Sequence, residues 1–249
     1  MKVPFINLQE QVKNIRSEII DNVTETIESG KFILGDKLFA FEKNISSYIG
    51  QESLGCASGT DALLMALMAS SVGSGDEVIT TPFTFFSTAG AIARLGAKPV
   101  FVDIDERTYN IDPALIEEKI TPNTKAIIPV HLFGQPANMI EINKIAKRNN
   151  LIVIEDACQA IGAKYDGVNV GLLGDFACFS FFPTKNLGVA GDGGLITCKK
   201  QFDFDYLKKL RVHGSSKKYF HDFVGINSRL DALNAGILDI KLKYLGRVR

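Results

Sequence analysis

The chain carries no surplus charge, with Lys+Arg and Asp+Glu both at 28 in 249 residues. There is no broad basic field to draw in nucleic acid or an anionic membrane, so any polyanion must be held by a local site. Histidine is scarce at three, and none stands at a metal-ligand spacing, so no metal is expected. The four cysteines (Cys56, Cys158, Cys178 and Cys198) form no CxxC pair and lie within apolar segments. That excludes a disulfide frame or a zinc site and points to buried thiols in a reducing compartment. No run approaches 18 apolar residues, and "MKVPFINLQEQ" lacks the apolar core of a signal peptide. A cytoplasmic protein is expected. Three common motifs are missing as well: the P-loop, the G-x-G-x-x-G turn and the G-x-S-x-G nucleophile elbow.

What is present is a 46% hydrophobic chain, enough for a sizeable core. Helical periodicity runs from residue 8 to 29 (Ile15, Ile19, Val23, Ile27) and stops at Gly30; a second helical stretch, 36–49, stops at Gly50. A third helix opens at "ASGTDAL". From residue 76, short β-branched runs alternate with helical segments. "EVIT", "KPVFVDI", "KAIIPVH" and "LIVIEDA" read as strands; "FSTAGAIARLG", "DPALIEEKI" and "MIEINKIAKRN" read as helices. Strands apolar on both faces, joined by helices, predict an α/β fold with a mostly parallel central sheet and helices on both faces. "FACFSFF" and "GGLITC" fit as further strands. Ligands of such sheets gather at the carboxyl ends of the strands, which marks His131, Asp156 and Lys185 on one rim. The final stretch, from Ser228, has apolar residues at 230, 233, 237, 240 and 244. It predicts a helix of about 30 Å whose apolar stripe has nothing downstream to cover it.

Three features of the rim bear on chemistry. Ser58, Gly59 and Thr60 begin a helix, where free amides and the helix dipole suit an anion, although "SGTD" is also an ordinary N-cap. Glu155 and Asp156 end a buried strand, either as a helix cap or structural ion pair or as a carboxylate matched to a cation. Lys185 follows a strand containing Ser180 and precedes a glycine-rich loop. It is either a solvated loop lysine or, partly desolvated, a nucleophile and base. A phosphate site, a buried carboxylate and a reactive lysine are the minimal parts for holding pyridoxal 5′-phosphate.

The motifs "GKFILG", "ASGTDAL", "GDEVITTPFTFFSTAGAIARLGAKPVFVDID", "AIIPVHLFGQPANM", "VIEDACQAIGA", "SFFPTKNLGVAGDGG" and "GINSRLDAL" occur in this order along nearly the whole chain. With them the chain resembles the DegT/StrS group of nucleotide-sugar aminotransferases, and the resemblance implies the large domain of a fold-type I pyridoxal-phosphate transferase. It implies Lys185 as the Schiff-base lysine, Asp156 at the pyridinium nitrogen and Gln159 beside the phenolic oxygen. Phe85 falls where the group stacks an aromatic ring on the pyridine, the other reading being core packing. Gly59, Thr60 and Ser180 would bind the phosphate. Asn227 would reach the phosphate of a neighbouring subunit, which implies a homodimer with shared active sites. Arg229 would contact the sugar nucleotide across that interface, or form a structural ion pair with Asp231 or another acid.

The implied reaction carries an amino group from glutamate to a keto-sugar on a nucleoside diphosphate, for amino-sugar and surface polysaccharide biosynthesis. Some relatives have histidine in place of Lys185 and dehydrate instead. "SFFPTKNLG" with "GDGG", "HGSSKKY" and "GINSRLD" looks more like members acting on 3-oxo than on 4-oxo sugars. The expected organisation is an N-terminal helix and arm (1–35), a cofactor-binding large domain (36–228) and the start of a long helix (229–249) leading to a small domain that relatives carry and this chain lacks. A second reading follows: a non-catalytic remnant whose exposed stripe (Leu230, Leu233, Ile237, Ile240) serves association or regulation.

Overall fold

A computed structural model describes residues 6–246; residues 1–5 and 247–249, at the two ends of the expected organisation, lie outside the described residues. The N-terminal helical stretch is two helices, α1 (Leu8–Lys13) and α2 (Arg16–Ser29). The break falls at Asn14 and Ile15. The Ile15 amide bonds back only three residues, to Val12 O at 3.1 Å, while its side chain turns inward. Helix α3 (Asp36–Ile49) follows, and both α2 and α3 end in left-handed glycines, Gly30 and Gly50, as their sequences predict.

Seven strands form the central sheet: β1 (Ser53–Cys56), β2 (Glu77–Thr80), β3 (Lys98–Phe101), β4 (Thr124–Ile127), β5 (Ile152–Asp156), β6 (Phe176–Ser180) and β7 (Gly194–Cys198). Their spatial order is β1-β7-β6-β5-β4-β2-β3, with β7 antiparallel to both neighbours and the other pairings parallel. Helices cover both faces. The pleat sends Val78, Ile154 and Cys178 to a core with α4 (Gly59–Ala69), α5 (Ser87–Arg94) and α7 (Gln201–Leu210). Their neighbours in sequence point the other way. Ile79 and Val153 meet α6 (Met139–Asn149), while Ala177 and Phe179 meet α3 and α8 (Ala232–Leu242). The α/β reading holds, including the mostly parallel sheet.

Three expectations need correction. "DPALIEEKI" is not an α-helix but two 3₁₀ turns, Pro113–Leu115 and Glu117–Lys119. The chain must become extended at Ile120, close before Pro122, so there is no room for a longer helix. The last helix is shorter than predicted: α8 has 11 residues, about 16 Å, and starts at the Asp231 cap. Its stripe is not exposed. Leu230, Ile237 and Ile240 are buried and Leu233 half-buried, because α8 packs against α2 and α3.

The site is anchored from behind by a buried ion pair. Arg211 donates to the Glu42 carboxylate and to Gly55 O, and Glu42 accepts the Gly55 amide at 2.8 Å. Beside it, the buried Ser228 hydroxyl accepts the Ala57 amide at 3.1 Å, while its own amide bonds to Arg211 O. These contacts tie "GINSRLD" beneath the loop that opens α4.

Candidate active site

A cavity of about 460 Å³ opens at the carboxyl ends of β5 and β6 and the segment after β4. Lys185, Asp156, Gln159, Ser180, Gly59, Thr60 and Phe85 all line it. The structure therefore brings seven of the nine expected site residues into one space.

Lys185 stands on a loop held at both ends. The Phe181 amide bonds to Gly193 O, and the Val189 amide bonds to Phe181 O, each at 2.8 Å. The side chains of Leu187 and Val189 are buried, so the loop is packed into the fold, and Lys185 itself is half-buried. Its ammonium has no hydrogen-bond or ion-pair partner among the described residues. This is not a lysine solvated at random on a free loop.

Asp156 is 5% exposed and likewise has no cationic partner among the described residues. Its Oδ2 accepts the Thr88 hydroxyl at 2.7 Å and its Oδ1 accepts the Cys158 amide at 3.3 Å. The adjacent acid has a different task. Strand alternation turns Glu155 to the opposite face, where it accepts the amides of Gly171, Leu173 and Gly174 at 3.1, 2.9 and 2.7 Å. His131 adds a fourth donor. Its Nδ1 accepts the Ala137 amide, so the ring proton is on Nε2 and points at Glu155 Oε2, 2.9 Å away. Glu155 and His131 thus make a structural hub, and Asp156 alone of the two acids faces the cavity.

The start of α4 answers the choice between cap and anion site by dividing it. The Ser58 hydroxyl is the cap, accepting the Asp61 amide at 3.1 Å. The Gly59 and Thr60 amides have no partner among the described residues, as the first turn of a helix requires. A β-carbon at Gly59 would sit 2.8 Å from Cys158 Sγ and from Ser180 Cβ, so only glycine lets the helix end approach β6 this closely. The Thr60 hydroxyl lies 2.7 Å from that of Ser87, the first residue of α5, bringing two helix N-termini together.

Gln159 presents a defined atom. Its Oε1 accepts the Phe133 amide at 2.8 Å, which leaves Nε2, a donor, for a ligand. Phe85 is 73% exposed at the cavity, which rules out the core-packing reading. Asn227 is exposed, Arg229 is half-buried, and neither lines the cavity. Arg229 forms no ion pair with Asp231, whose carboxylate instead accepts from the Asn234 amide and side chain at 2.8 and 3.0 Å. Ser87 and Thr88 went unseen in the sequence, since a hydroxyl in "FSTAGAIARLG" carries no local signal of what lies across the fold.

The residues fit pyridoxal 5′-phosphate on their donor chemistry. Unpartnered helix amides and hydroxyls suit a phosphate, a buried carboxylate suits a protonated ring nitrogen, and an unpaired amine suits an aldehyde.

The thiols do not compete with Lys185. Burial first, and then the negative charge of Asp156, push Cys158 and Cys178 well above the ordinary thiol range. Burial also raises Cys56, and it lifts Cys198 to about 12. Since only the thiolate reacts, alkylation by iodoacetamide at pH 8 is expected to be at least about a thousandfold slower in the folded protein than in urea. Mass spectrometry of tryptic peptides after timed quenching checks this, and rapid labelling of any of the four in the folded state would contradict it.

Comparison with known proteins gives one consistent picture. The model of the DegT/DnrJ/EryC1/StrS aminotransferase family matches residues 13–249. The chain is similar to a "Pleiotropic regulatory protein" of Geobacillus stearothermophilus, at 54% identity over 99% of this chain and 67% of the relative. It is also similar to the UDP-N-acetyl-3-dehydro-alpha-D-glucosamine 3-aminotransferase of Acidithiobacillus ferrooxidans, at 48% identity over 98% of this chain and 66% of the relative. Among solved structures, S. venezuelae DesV in complex with a ketimine intermediate matches with a TM-score of 0.96 and 40% identity, covering 99% of this chain and 67% of that one. The chain thus spans about two thirds of the length of these relatives.

Proposed function

Because the chain belongs to the DegT/DnrJ/EryC1/StrS aminotransferase family, whose members depend on pyridoxal 5′-phosphate, we propose that it transfers an amino group from glutamate to a keto-sugar carried on a nucleoside diphosphate. The observation that carries this reading is the placement of an unpaired Lys185 amine and a buried Asp156 carboxylate in one cavity. When bound, the cofactor supplies a carbonyl that captures amines and a ring that withdraws electrons from the carbon next to them.

Lys185 would hold the cofactor through its amine and, as the base of the site, would move the proton taken from the donor's α-carbon. Asp156 would pair with the ring nitrogen, Gln159 Nε2 would donate to the phenolic oxygen, the Gly59 and Thr60 amides with the Thr60 and Ser180 hydroxyls would hold the phosphate, and Phe85 would lie against the ring.

Asn227 and Arg229 act across a homodimer, Asn227 on the neighbour's phosphate and Arg229 on the sugar nucleotide. Support comes from their position outside the chain's own cavity and from the exposed Phe86, Phe133 and Val224. The 3-oxo preference draws on the motif resemblance and on the 3-dehydro sugar in the name of the A. ferrooxidans relative. The product class would be amino sugars for surface polysaccharide, made in the cytoplasm. The stripe that the non-catalytic reading invoked for association is covered by α2 and α3.

The test is spectroscopic. The chain incubated with pyridoxal 5′-phosphate is expected to turn yellow, lose the visible band on addition of glutamate, and regain it with a keto-sugar nucleotide. In a panel of 3-oxo and 4-oxo substrates, the 3-oxo forms are expected to restore the band at least about tenfold faster. A protein that stays colourless would overturn the proposal, and equal rates would overturn its sugar assignment.

A further inference from the structure

Thr88 is fully buried in the first turn of α5, and three oxygens compete for its hydroxyl. Asp156 Oδ2 is 2.7 Å away, Thr84 Oγ1 2.9 Å and Phe85 O 3.2 Å. A hydroxyl has one proton to give. The bland assignment is the bond back to Phe85 O that helical threonines commonly make. The carboxylate contact is shorter and is with a charged acceptor, and charge-assisted bonds are about twice as strong as neutral ones. The Thr88 proton therefore goes to Asp156, and the Thr84 hydroxyl, half-buried at the cavity wall, donates to the Thr88 oxygen. The order runs Thr84, Thr88, Asp156.

We propose that Thr88 is a positioning residue, with Thr84 behind it, that aims the Asp156 carboxylate at the ring nitrogen of the cofactor. The geometry leaves the two carboxylate oxygens unequal. Oδ2 accepts the shorter bond, from behind, whereas Oδ1 accepts the Cys158 amide at the longer 3.3 Å, with the Cys158 thiol also bonded to this carboxylate, and keeps acceptor capacity for the cavity. A carboxylate so buried, with no ion-pair partner among the described residues, depends on such donors for its hydrogen bonds. This rests on the assignment of Asp156 made above, and the experiment separates the two.

The measurement is the dissociation constant of pyridoxamine 5′-phosphate, by fluorescence titration, beside that of an analogue with C–H in place of the ring nitrogen. The wild-type chain is expected to bind the natural compound more tightly than the analogue. Thr88→Val should weaken the natural compound about tenfold and leave the analogue within about twofold. Thr88→Ser should restore both, and Thr84→Val should give a loss of about two- to threefold confined to the nitrogen-bearing compound. A purely structural Thr88 would weaken both ligands alike, and that result overturns the proposal, as does no loss at all. If Thr88→Val does not fold by circular dichroism, Thr84→Val decides in the same way. A wild-type chain that binds both ligands equally overturns the Asp156 assignment itself, whereas discrimination untouched by either valine variant overturns only the positioning role.

Discussion

Lys185→Ala is expected to lower amino transfer by at least about 10⁴-fold while leaving affinity for pyridoxamine 5′-phosphate within about threefold of wild type. The size follows from what the cavity lacks. Among the described residues no other lysine lines it, and Lys241 is committed to Gly188 O behind the loop. The thiols are held protonated, and His131 is locked between Ala137 and Glu155 with no free nitrogen to offer. Among the described residues, the cavity offers no second amine and no free imidazole to replace Lys185 as the base.

Folding should be untouched, because the Lys185 ammonium makes no hydrogen bond or ion pair among the described residues; the melting temperature is expected to stay within about 2 °C. Lys185→Arg distinguishes charge from proton transfer, since a guanidinium remains protonated and cannot serve as base, so it should be as inactive as alanine. Two readouts check the claim: exchange of the glutamate α-proton with deuterated solvent, expected to vanish, and partial recovery of turnover with added methylamine. A variant retaining more than about 1% of activity would place the base elsewhere.

The convergence of Lys185 and Asp156 was readable in the sequence because parallel sheets gather function at the carboxyl ends of strands, and runs such as "LIVIEDA" mark those ends. The roles of Glu155 and Asp156 were open there, yet strand alternation alone requires adjacent acids to face opposite sides. Other features depend on partners far along the chain. Strand β1, "SLGC", is four residues long and contains a glycine; it is a strand because β7 pairs with it 140 residues later. Helix α7 and the two short hairpins, 164–165 with 168–169 and 215–217 with 220–221, were not anticipated either. The cover over α8 comes from α2 and α3, near the other end of the chain, which no local periodicity encodes. Thr88 reaches Asp156 across 68 residues. Periodicity reports which face of an element is apolar, but it does not report what meets that face.

Glu155→Ala is expected to cost about 3–5 kcal/mol of stability, enough to lower the melting temperature by about 10 °C. A buried polar hub can contribute little net stability relative to an apolar one, since its desolvation offsets its attractions. Breaking it is another matter. With the carboxylate gone, the His131 Nε2–H and the amides of Gly171, Leu173 and Gly174 lose their acceptor at a position 0% exposed to water. Glu155→Gln should be intermediate, at about 2–3 kcal/mol, because its NH₂ must face donors whichever way the amide turns. The damage should also reach the cavity, since the His131 amide donates to Asp156 O and the Asp156 amide to Pro129 O, each a link between the hub and Asp156. Pyridoxamine 5′-phosphate affinity is therefore expected to fall in Glu155→Gln under conditions where the variant is still folded. Urea denaturation followed by circular dichroism, beside the same ligand titration, measures both effects. A melting point for Glu155→Ala within about 2 °C of wild type would show that water reaches these donors and that the hub does not hold the floor of the site.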